Sequence, residues 1–311
     1  MTMSTHVWRI SAMTIAVLGA LAAMPAKAQT GKLVLTGGVS TIEGAGGGGL
    51  TPWAFIGTQA TENEWGVATN LTHVRTDDYS LNAQGVSFGW DDKLELSLGR
   101  QSLDTGITGQ GLGLPGLKLD QTIVGVKYKL FGDGVLDSDS NLPQVAIGLQ
   151  HKSLDSTGLD ATLNALGAKR TGTDFYVSGT KLFLKQGILV NGTLRATKAN
   201  QNGLLGFGAR LGGDETDYDF VPEVSLAKLL RNNVAVGVEY RVMPNKLENA
   251  GRAAGLGNGL AADDWTDLFV AWAPTKNVSL TAAYVDLGRI VPATTGNRDQ
   301  RGVYVSAQFA F

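Results

Sequence analysis

The sequence predicts an all-β fold, an antiparallel transmembrane β-barrel of the bacterial outer membrane. Three observations predict it: an N-terminal export signal, short segments in which apolar residues alternate with small or polar ones, and a last segment of this kind that ends on phenylalanine. A closed barrel pairs every strand with a neighbour, so no backbone group faces hydrocarbon without a hydrogen bond. We expect residues 29–311 to form this barrel as one domain.

The N-terminal segment has the three parts of a secretory signal peptide. Residues 1–9 carry positive charge, residues 10–23 are almost wholly apolar, and Ala26-Lys27-Ala28 matches an A-x-A cleavage site. The apolar run is shorter than the roughly 20 residues of a spanning helix. We therefore predict a signal peptide over residues 1–28, with cleavage after Ala28.

Composition narrows the class of protein. Glycine accounts for 42 of the 311 residues, 17% of the residues are charged, and cysteine is absent. The absence of cysteine excludes a disulfide framework and thiol chemistry. The formal net charge of -2 gives no indication of nucleic-acid binding. Mean hydropathy is close to zero, as expected where lipid-facing and water-facing residues alternate and cancel in an average.

The alternating segments predict about 14 strands, an even number, as single-chain bacterial barrels require. Counts of 12 or 16 stay open, because Leu204–Arg210 is a further candidate half-strand. With a periplasmic C-terminus, the short turns fall inside and the long loops outside, except at residues 76–78 and 132–143. The predicted strands are Lys32–Ile42, Thr51–Ala60, Trp65–Arg75, Tyr79–Trp90, Lys93–Gln101, Leu117–Leu130, Gln144–Ser153, Thr173–Leu184, Ile188–Thr197, Tyr218–Leu229, Val234–Met243, Trp265–Ala273, Val278–Leu287 and Gly302–Phe311.

The final segment shows both faces of the predicted wall. Alternation places Val303, Val305 and Phe309 on the lipid face and Tyr304 and Gln308 on the other. Phe309 and Phe311, at the end of this strand, resemble the terminal signal that the barrel-assembly machinery recognises. Aromatic residues are expected near both ends of the strands, where they form girdles at the interfaces. They are Trp65, Trp90 and Trp272 at the inner ends and Tyr79, Tyr218 and Tyr284 at the outer ends.

Charged residues on the opposite faces of the strands point to the lumen. Two interpretations stay open: an internal salt-bridge network that fills a narrow lumen, or a polar pore whose opposite charges set a transverse field at a constriction. Mixed signs argue against strong ion selectivity in the second case. The predicted lumen residues are Glu95, Lys127, Lys129, Lys152, Arg195, Glu223, Glu239 and Arg241.

A glycine run at residues 44–49 separates the first two predicted strands. It contains a formal G-x-G-x-x-G pattern, but no helix follows, so a dinucleotide site is not expected. Glycine permits backbone conformations that other residues avoid. The run is therefore interpreted either as a plain turn of the first hairpin or as a segment that folds inward and narrows the lumen.

No catalytic, cofactor or metal site is expected. After the signal peptide the only histidines are His73 and His151, and neither accompanies a nucleophile in a recognisable motif. Asp137-Ser-Asp139-Ser-Asn141 resembles the start of a calcium loop, but Leu142 and Gly148 replace the required Gly and Glu. We expect a solvated turn there.

Three segments resemble an uncharacterised proteobacterial family. Gly31–Gly57, which includes the glycine run, is similar to the opening of the family known as domain of unknown function 3034, and Leu142–Gln150 and Pro222–Tyr240 are similar to later parts. The resemblance covers essentially the whole mature chain. It implies an outer-membrane barrel and supplies no substrate or catalytic residue.

The sequence thus predicts a porin-like channel or a barrel that binds small solutes. The alternative is a closed structural or surface-interaction barrel, and a minor alternative is an outer-membrane hydrolase that depends on His73 or His151. The expected partners are outer-membrane lipids and lipopolysaccharide, the barrel-assembly machinery during biogenesis, and small solutes.

Overall fold

The computed structural model describes residues 32–37, 39–135, 142–155 and 158–311. The predicted signal peptide, residues 1–28, and the segment Asp137–Asn141 lie outside these residues. Within the described part of the chain, no helix is long and apolar enough to span a membrane.

Within the described residues, twelve antiparallel strands form one closed barrel. Each strand pairs with its neighbours in sequence, and the last strand pairs with the first, so the ring has no free edge. The strands are β1 (Trp65–Thr76), β2 (Ser80–Trp90), β3 (Leu94–Asp104), β4 (Lys118–Phe131), β5 (Gln144–Leu154), β6 (Thr171–Phe183), β7 (Ile188–Thr197), β8 (Asp219–Arg231), β9 (Val234–Arg241), β10 (Trp265–Thr275), β11 (Val278–Asp286) and β12 (Arg301–Ala310).

The chain end completes the ladder between β12 and β1. Phe309 lies opposite Thr69, and the backbones of Phe311 and Val67 exchange two hydrogen bonds of 2.8 and 3.0 Å. The lipid-facing side chains of β12 are those expected, since Val303 and Val305 are exposed. Recognition of Phe309 and Phe311 by the assembly machinery stays a prediction.

The predicted faces are confirmed in β9. Glu239 and Arg241 are buried in the lumen, whereas Val238 and Tyr240 are exposed on the outer wall. The aromatic residues follow the expected girdles with one exception. Tyr79 was expected at the outer interface, but it is buried and its hydroxyl lies 2.6 Å from that of Thr108. It turns inward because the short β1–β2 connection places it over the barrel opening.

The long loops and their short helices lie at the outer end of the barrel. The connections at residues 77–79 and 132–143 are the two exceptions that the sequence indicated. Several loop residues fold down into the opening, and those of the 3-10 helix are all buried. The helices are α1 (Gly106–Gly111), α2 (Asp160–Leu166), a 3-10 helix (Gln201–Gly203), α3 (Glu248–Ala253) and α4 (Pro292–Thr295).

The expected count of 14 strands is wrong, and the alternative of 12 is found. The predicted strands Lys32–Ile42 and Thr51–Ala60 are not part of the wall but lie inside the lumen, where every residue from Ser40 to Ala60 is buried. We call residues 32–37 and 39–60 the plug. They leave the wall because the ring of 12 is already closed and offers no edge, while the glycine run turns the chain back within the lumen.

The segment Leu204–Arg210 does not form a half-strand. It belongs to the β7–β8 loop, and only Phe207 makes isolated bridges, to Lys169 and Ala199. The inward-folded interpretation of the glycine run is the one that the structure shows, with single bridges from Ser40 to Gly46 and from Gly47 to Pro52.

The lipid face allows a direct stability test. Leu226, in the middle of β8, and Leu256, in the β9–β10 loop, are 51% and 48% exposed. We expect Leu226→Arg to lower the free energy of unfolding from vesicles by about 2–4 kcal/mol, because it places a charge in hydrocarbon. Leu256→Arg should change that free energy by less than about 0.5 kcal/mol. Equal effects of the two substitutions on urea unfolding would contradict the assigned lipid face.

Candidate functional site

The plug divides the lumen into layers. At the outer end, Ile42 and Leu50 of the plug border the same small cavity as Leu119, Trp265 and Val285 of the wall. The cavity measures about 50 Å³. It has room for a few water molecules only.

A second apolar layer lies towards the periplasm. Leu35 and Trp53 of the plug border a cavity of about 40 Å³ together with Leu182, Leu189 and Phe269 of the wall. The lumen is therefore closed in this structure.

The first charged contact is a clamp formed by β3 and β4. The carboxylate of Glu95 accepts hydrogen bonds from the backbone N–H groups of Gly46 (2.9 Å) and Gly57 (2.6 Å). The ammonium of Lys127 donates to the carbonyl oxygens of Gly46 (2.7 Å) and Phe55 (2.8 Å). The two side chains also pair with each other at 3.2 Å. This ion pair therefore binds two separate turns of the plug.

The second contact comes from β9, on another part of the wall. Glu239 accepts hydrogen bonds from the backbone N–H of Leu50 (2.8 Å) and the hydroxyl of Thr51 (2.6 Å). Arg241 donates to the carbonyl of Leu50 at 3.3 Å. A carboxylate and a guanidinium thus hold the donor and the acceptor groups of the same plug residue.

Neutral side chains bind the next part of the plug. The carbonyl of Pro52 accepts from the hydroxyl of Thr193 at 2.8 Å. The backbone N–H of Ala54 donates to Thr180, and its carbonyl accepts from Gln144, both at 2.8 Å. Buried backbone groups need partners. Here the barrel wall supplies them through side chains instead of through strand pairing.

The central feature of the site is an ionic cluster around Glu43. Its carboxylate lies against the ammonium of Lys152 and within 3.1 Å of Arg195 and 3.5 Å of Arg241. Arg195 also pairs with Glu223 at 2.5 Å and with Asp174 at 3.3 Å. The cluster contains three cations and three carboxylates, so its formal charges balance only when Glu43 is in place.

Two glycines allow the plug to approach these groups closely. A Cβ atom on Gly48 would lie 1.9 Å from a carboxylate oxygen of Glu239, and one on Gly46 would lie 2.7 Å from the backbone of Gly57. Larger residues at these positions would separate the plug from the wall.

The periplasmic opening has an ion-pair network of its own. Asp92 accepts from the ammonium of Lys32 at 2.7 Å and also pairs with Lys129. Lys32 donates further to the carbonyl of Ile56 at 2.7 Å. Burial lowers the pKa of Lys32, and the charge of Asp92 opposes this shift.

The structure brings seven of the eight predicted lumen residues into contact with the plug or the ionic cluster. Lys129 is the exception, because it lies at the periplasmic rim with Asp92. Sequence reasoning did not identify Glu43, Asp174 or Asn202, whose side-chain oxygen accepts from Lys152 at 2.7 Å. A signal existed for Glu43, the only charged residue between Lys32 and Glu62.

The two histidines lie on the outward face of the barrel, away from the lumen. The ring nitrogen Nδ1 of His73 is 2.8 Å from the amide oxygen of Asn82, and that of His151 is 2.9 Å from the hydroxyl of Thr173. Both rings are exposed. Neither histidine belongs to the candidate site.

Removal of the Glu43 carboxylate should destabilise the folded barrel. We expect Glu43→Gln to lower the free energy of unfolding by about 3–5 kcal/mol, because three buried cations would then face two carboxylates. The double substitution Glu43→Gln with Lys152→Met should recover part of this loss, since it restores the balance of charges. The measurement is urea unfolding from vesicles.

The matched control is Glu62→Gln, the same change at an exposed glutamate. It should change the free energy of unfolding by less than about 0.5 kcal/mol. If the buried and the exposed substitutions were equally mild, Glu43 would not hold the cluster together.

The chain is similar to several solved outer-membrane barrel structures. The NanC porin, in a rhombohedral crystal form, is 12% identical, with 79% of this chain and 100% of that chain covered and a TM-score of 0.50. The KdgM porin is 10% identical, with 78% and 99% covered and a TM-score of 0.48. Omp33 of Acinetobacter baumannii is 9% identical, with 81% and 100% covered and a TM-score of 0.40. No curated protein matches the chain in sequence.

The likeness to the NanC porin structure shows a common fold, an antiparallel β-barrel of the outer-membrane type that is closed here by 12 strands. The sequence model of the family described as protein of unknown function DUF3034 matches residues 36–308, and the chain therefore belongs to that family.

Proposed function

We propose that this protein is an outer-membrane channel for small polar solutes that is closed by its own plug. The observation that carries the proposal is the way in which the plug is held. Within the described residues, no backbone-to-backbone hydrogen bond joins the plug to a strand of the wall. The 12 strands pair only with one another. The wall therefore stays complete when the plug moves.

The lining beneath the plug suits the passage of polar solutes. Glu95 and Lys127 lie on adjacent strands, and Glu239 and Arg241 lie further around the ring. Once the plug is displaced, these groups would face water in the lumen. Charges of both signs favour neutral or zwitterionic solutes over a strong preference for one ion.

The size of the ring is compatible with such a channel. Barrels of 8 strands are filled by their own side chains, whereas those of 16 to 18 strands leave an open aqueous channel. A ring of 12 lies between these cases, so a folded segment can close it. The solved structure named NanC porin supports the proposal through its fold alone, since one fold serves many functions.

A permanently closed barrel is the second candidate. It is favoured by the ionic cluster, in which buried charges are paired on all sides, and by the contacts of the outer loops. Tyr79 is linked through Thr108 to Thr294 by two bonds of 2.6 Å, which join the loops at the outer opening. A closed barrel would act through these external loops.

Conductance in planar bilayers separates the two candidates. We expect the wild-type protein to be mostly silent and Gly47→Val to open in stable steps. A Cβ atom at Gly47 would lie 2.3 Å from the carbonyl oxygen of Thr51 and 2.7 Å from Pro52, so the turn of the plug has to open. The control is Gly192→Val on β7, where an added Cβ meets no atom within 4 Å.

A second variant, which lacks residues 32–60, removes the plug entirely. It should conduct persistently, with little preference between cations and anions. If both plug variants fold into vesicles, as judged by β-sheet circular dichroism, and still pass no current, the protein is a closed barrel and the proposed channel is wrong.

A further inference from the structure

The outer wall carries a polar patch on four neighbouring strands. Its six side chains point away from the lumen and border one depression of about 880 Å³ on the outside of the barrel. We call them the polar patch: His73 on β1, Asn82 and Gln84 on β2, Arg100 and Ser102 on β3, and Asp120 on β4.

The patch extends into the height of the hydrocarbon. Gln84 is six residues from Trp90 of the periplasmic girdle, and Arg100 is six residues from Leu94, which pairs with Trp90. Six residues of a strand tilted by about 40° rise roughly 15 Å, whereas the apolar band of a barrel is about 25 Å tall. Gln84 and Arg100 therefore lie well inside the band.

The opposite wall differs at this height. β8 lies six strands from β2 around the ring of 12. Its outward residues Val224, Pro222 and Phe220 remain apolar to the outer end of the strand, and all three are exposed. The polar patch is thus a local feature of one side of the barrel.

Acyl chains are an unfavourable environment for the patch. The guanidinium of Arg100 lies 3.7 Å from the carboxylate of Asp120, and the two side chains are 48% and 35% exposed. Lipid tails offer no hydrogen bonds, and an arginine on the lipid face near the midplane destabilises a barrel. A protein surface offers these charged and polar groups a more polar environment than acyl chains do.

We infer that the polar patch is the interface through which a second copy of this chain packs against the barrel. An interface with two-fold symmetry presents the same surface twice, so it must be self-complementary. The patch meets this requirement because it carries both signs of charge side by side. A two-fold axis between Arg100 and Asp120 places each of them against its opposite in the other copy.

The depression also provides apolar area for this contact. Trp272, Leu280 and Val305 border it on the side of β10 to β12. Aromatic and apolar groups beside a small polar set are typical of protein interfaces. Lipopolysaccharide fits less well for two reasons. Its phosphates would attract Arg100 but repel Asp120. These phosphates also lie at the outer interface and not in the acyl layer.

The test is energy transfer between labelled copies in phospholipid vesicles. The chain has no cysteine, so Leu256→Cys provides a single labelling site in an external loop. We expect the wild-type protein to associate and Arg100→Asp to weaken the association at least about tenfold, because two acidic groups would then face each other across the interface. Asp120→Arg alone should weaken it similarly.

The decisive arm mixes the two variants. A chain with Arg100→Asp and a chain with Asp120→Arg carry complementary patches, so the mixture should recover most of the lost association. The matched control is the ion pair of Arg252 and Glu248 in an external loop. The side chain of Arg252 is 56% exposed and that of Glu248 is 31% exposed. Replacing both of these residues with leucine should leave association unchanged.

Three results would overturn the inference. They are a monomeric wild-type protein in vesicles, a mixture that does not recover association, and an equal effect of the loop control. A wild-type protein that stays monomeric but binds added lipopolysaccharide would assign the patch to lipid instead. Folding of each variant is checked by circular dichroism, which keeps a failed fold distinct from a lost interface.

Discussion

The requirement that buried backbone groups be hydrogen-bonded shapes the whole molecule. The ring of 12 strands satisfies it for the wall by strand pairing, and closure of β1 against β12 leaves no edge for further strands. The plug enters the lumen with its own backbone groups and no strand to pair with. The inward side chains of the wall must therefore supply its donors and acceptors. Glu95, Lys127 and Gln144 do so directly.

This requirement explains why a closed lumen carries so many charges. A wall that packed against a compact apolar core would need no arginine or lysine. Here the ionised groups bind backbone dipoles, and hydrogen bonds to charged groups are stronger than neutral ones. The remaining charges form the cluster around Glu43, where burial is tolerated because each cation has a carboxylate partner. The same residues thus fit both interpretations of the lumen. With the plug in place they form the salt-bridge network, and without it they would line the constriction.

The sequence allowed most of the wall to be predicted and little of the plug. Alternation is a local property, so the faces of β9 and β12 could be derived from their own residues. Whether an alternating segment such as Lys32–Ile42 joins the wall depends on ring closure, which involves residues hundreds of positions away. β6 is a second case in which the local pattern of residues does not determine what is buried. Lys181 and Leu182 are buried on successive positions because the β4–β5 loop covers that end, where Leu182 donates to the carbonyl of Gly134.

The two faces of β3 connect the lumen to the outer wall. Gln101 points inward and donates to the carbonyl of Ile42 in the plug at 2.9 Å, whereas Arg100, the preceding residue, points outward to Asp120. Successive side chains of a strand lie on opposite faces, so one strand takes part in both contacts without any side chain shared between them. Substitutions in the patch therefore change the outer surface and leave the hydrogen bonds of the plug in place. A shift of the strand itself would act on both contacts, because the backbone at residues 100 and 101 moves as one unit.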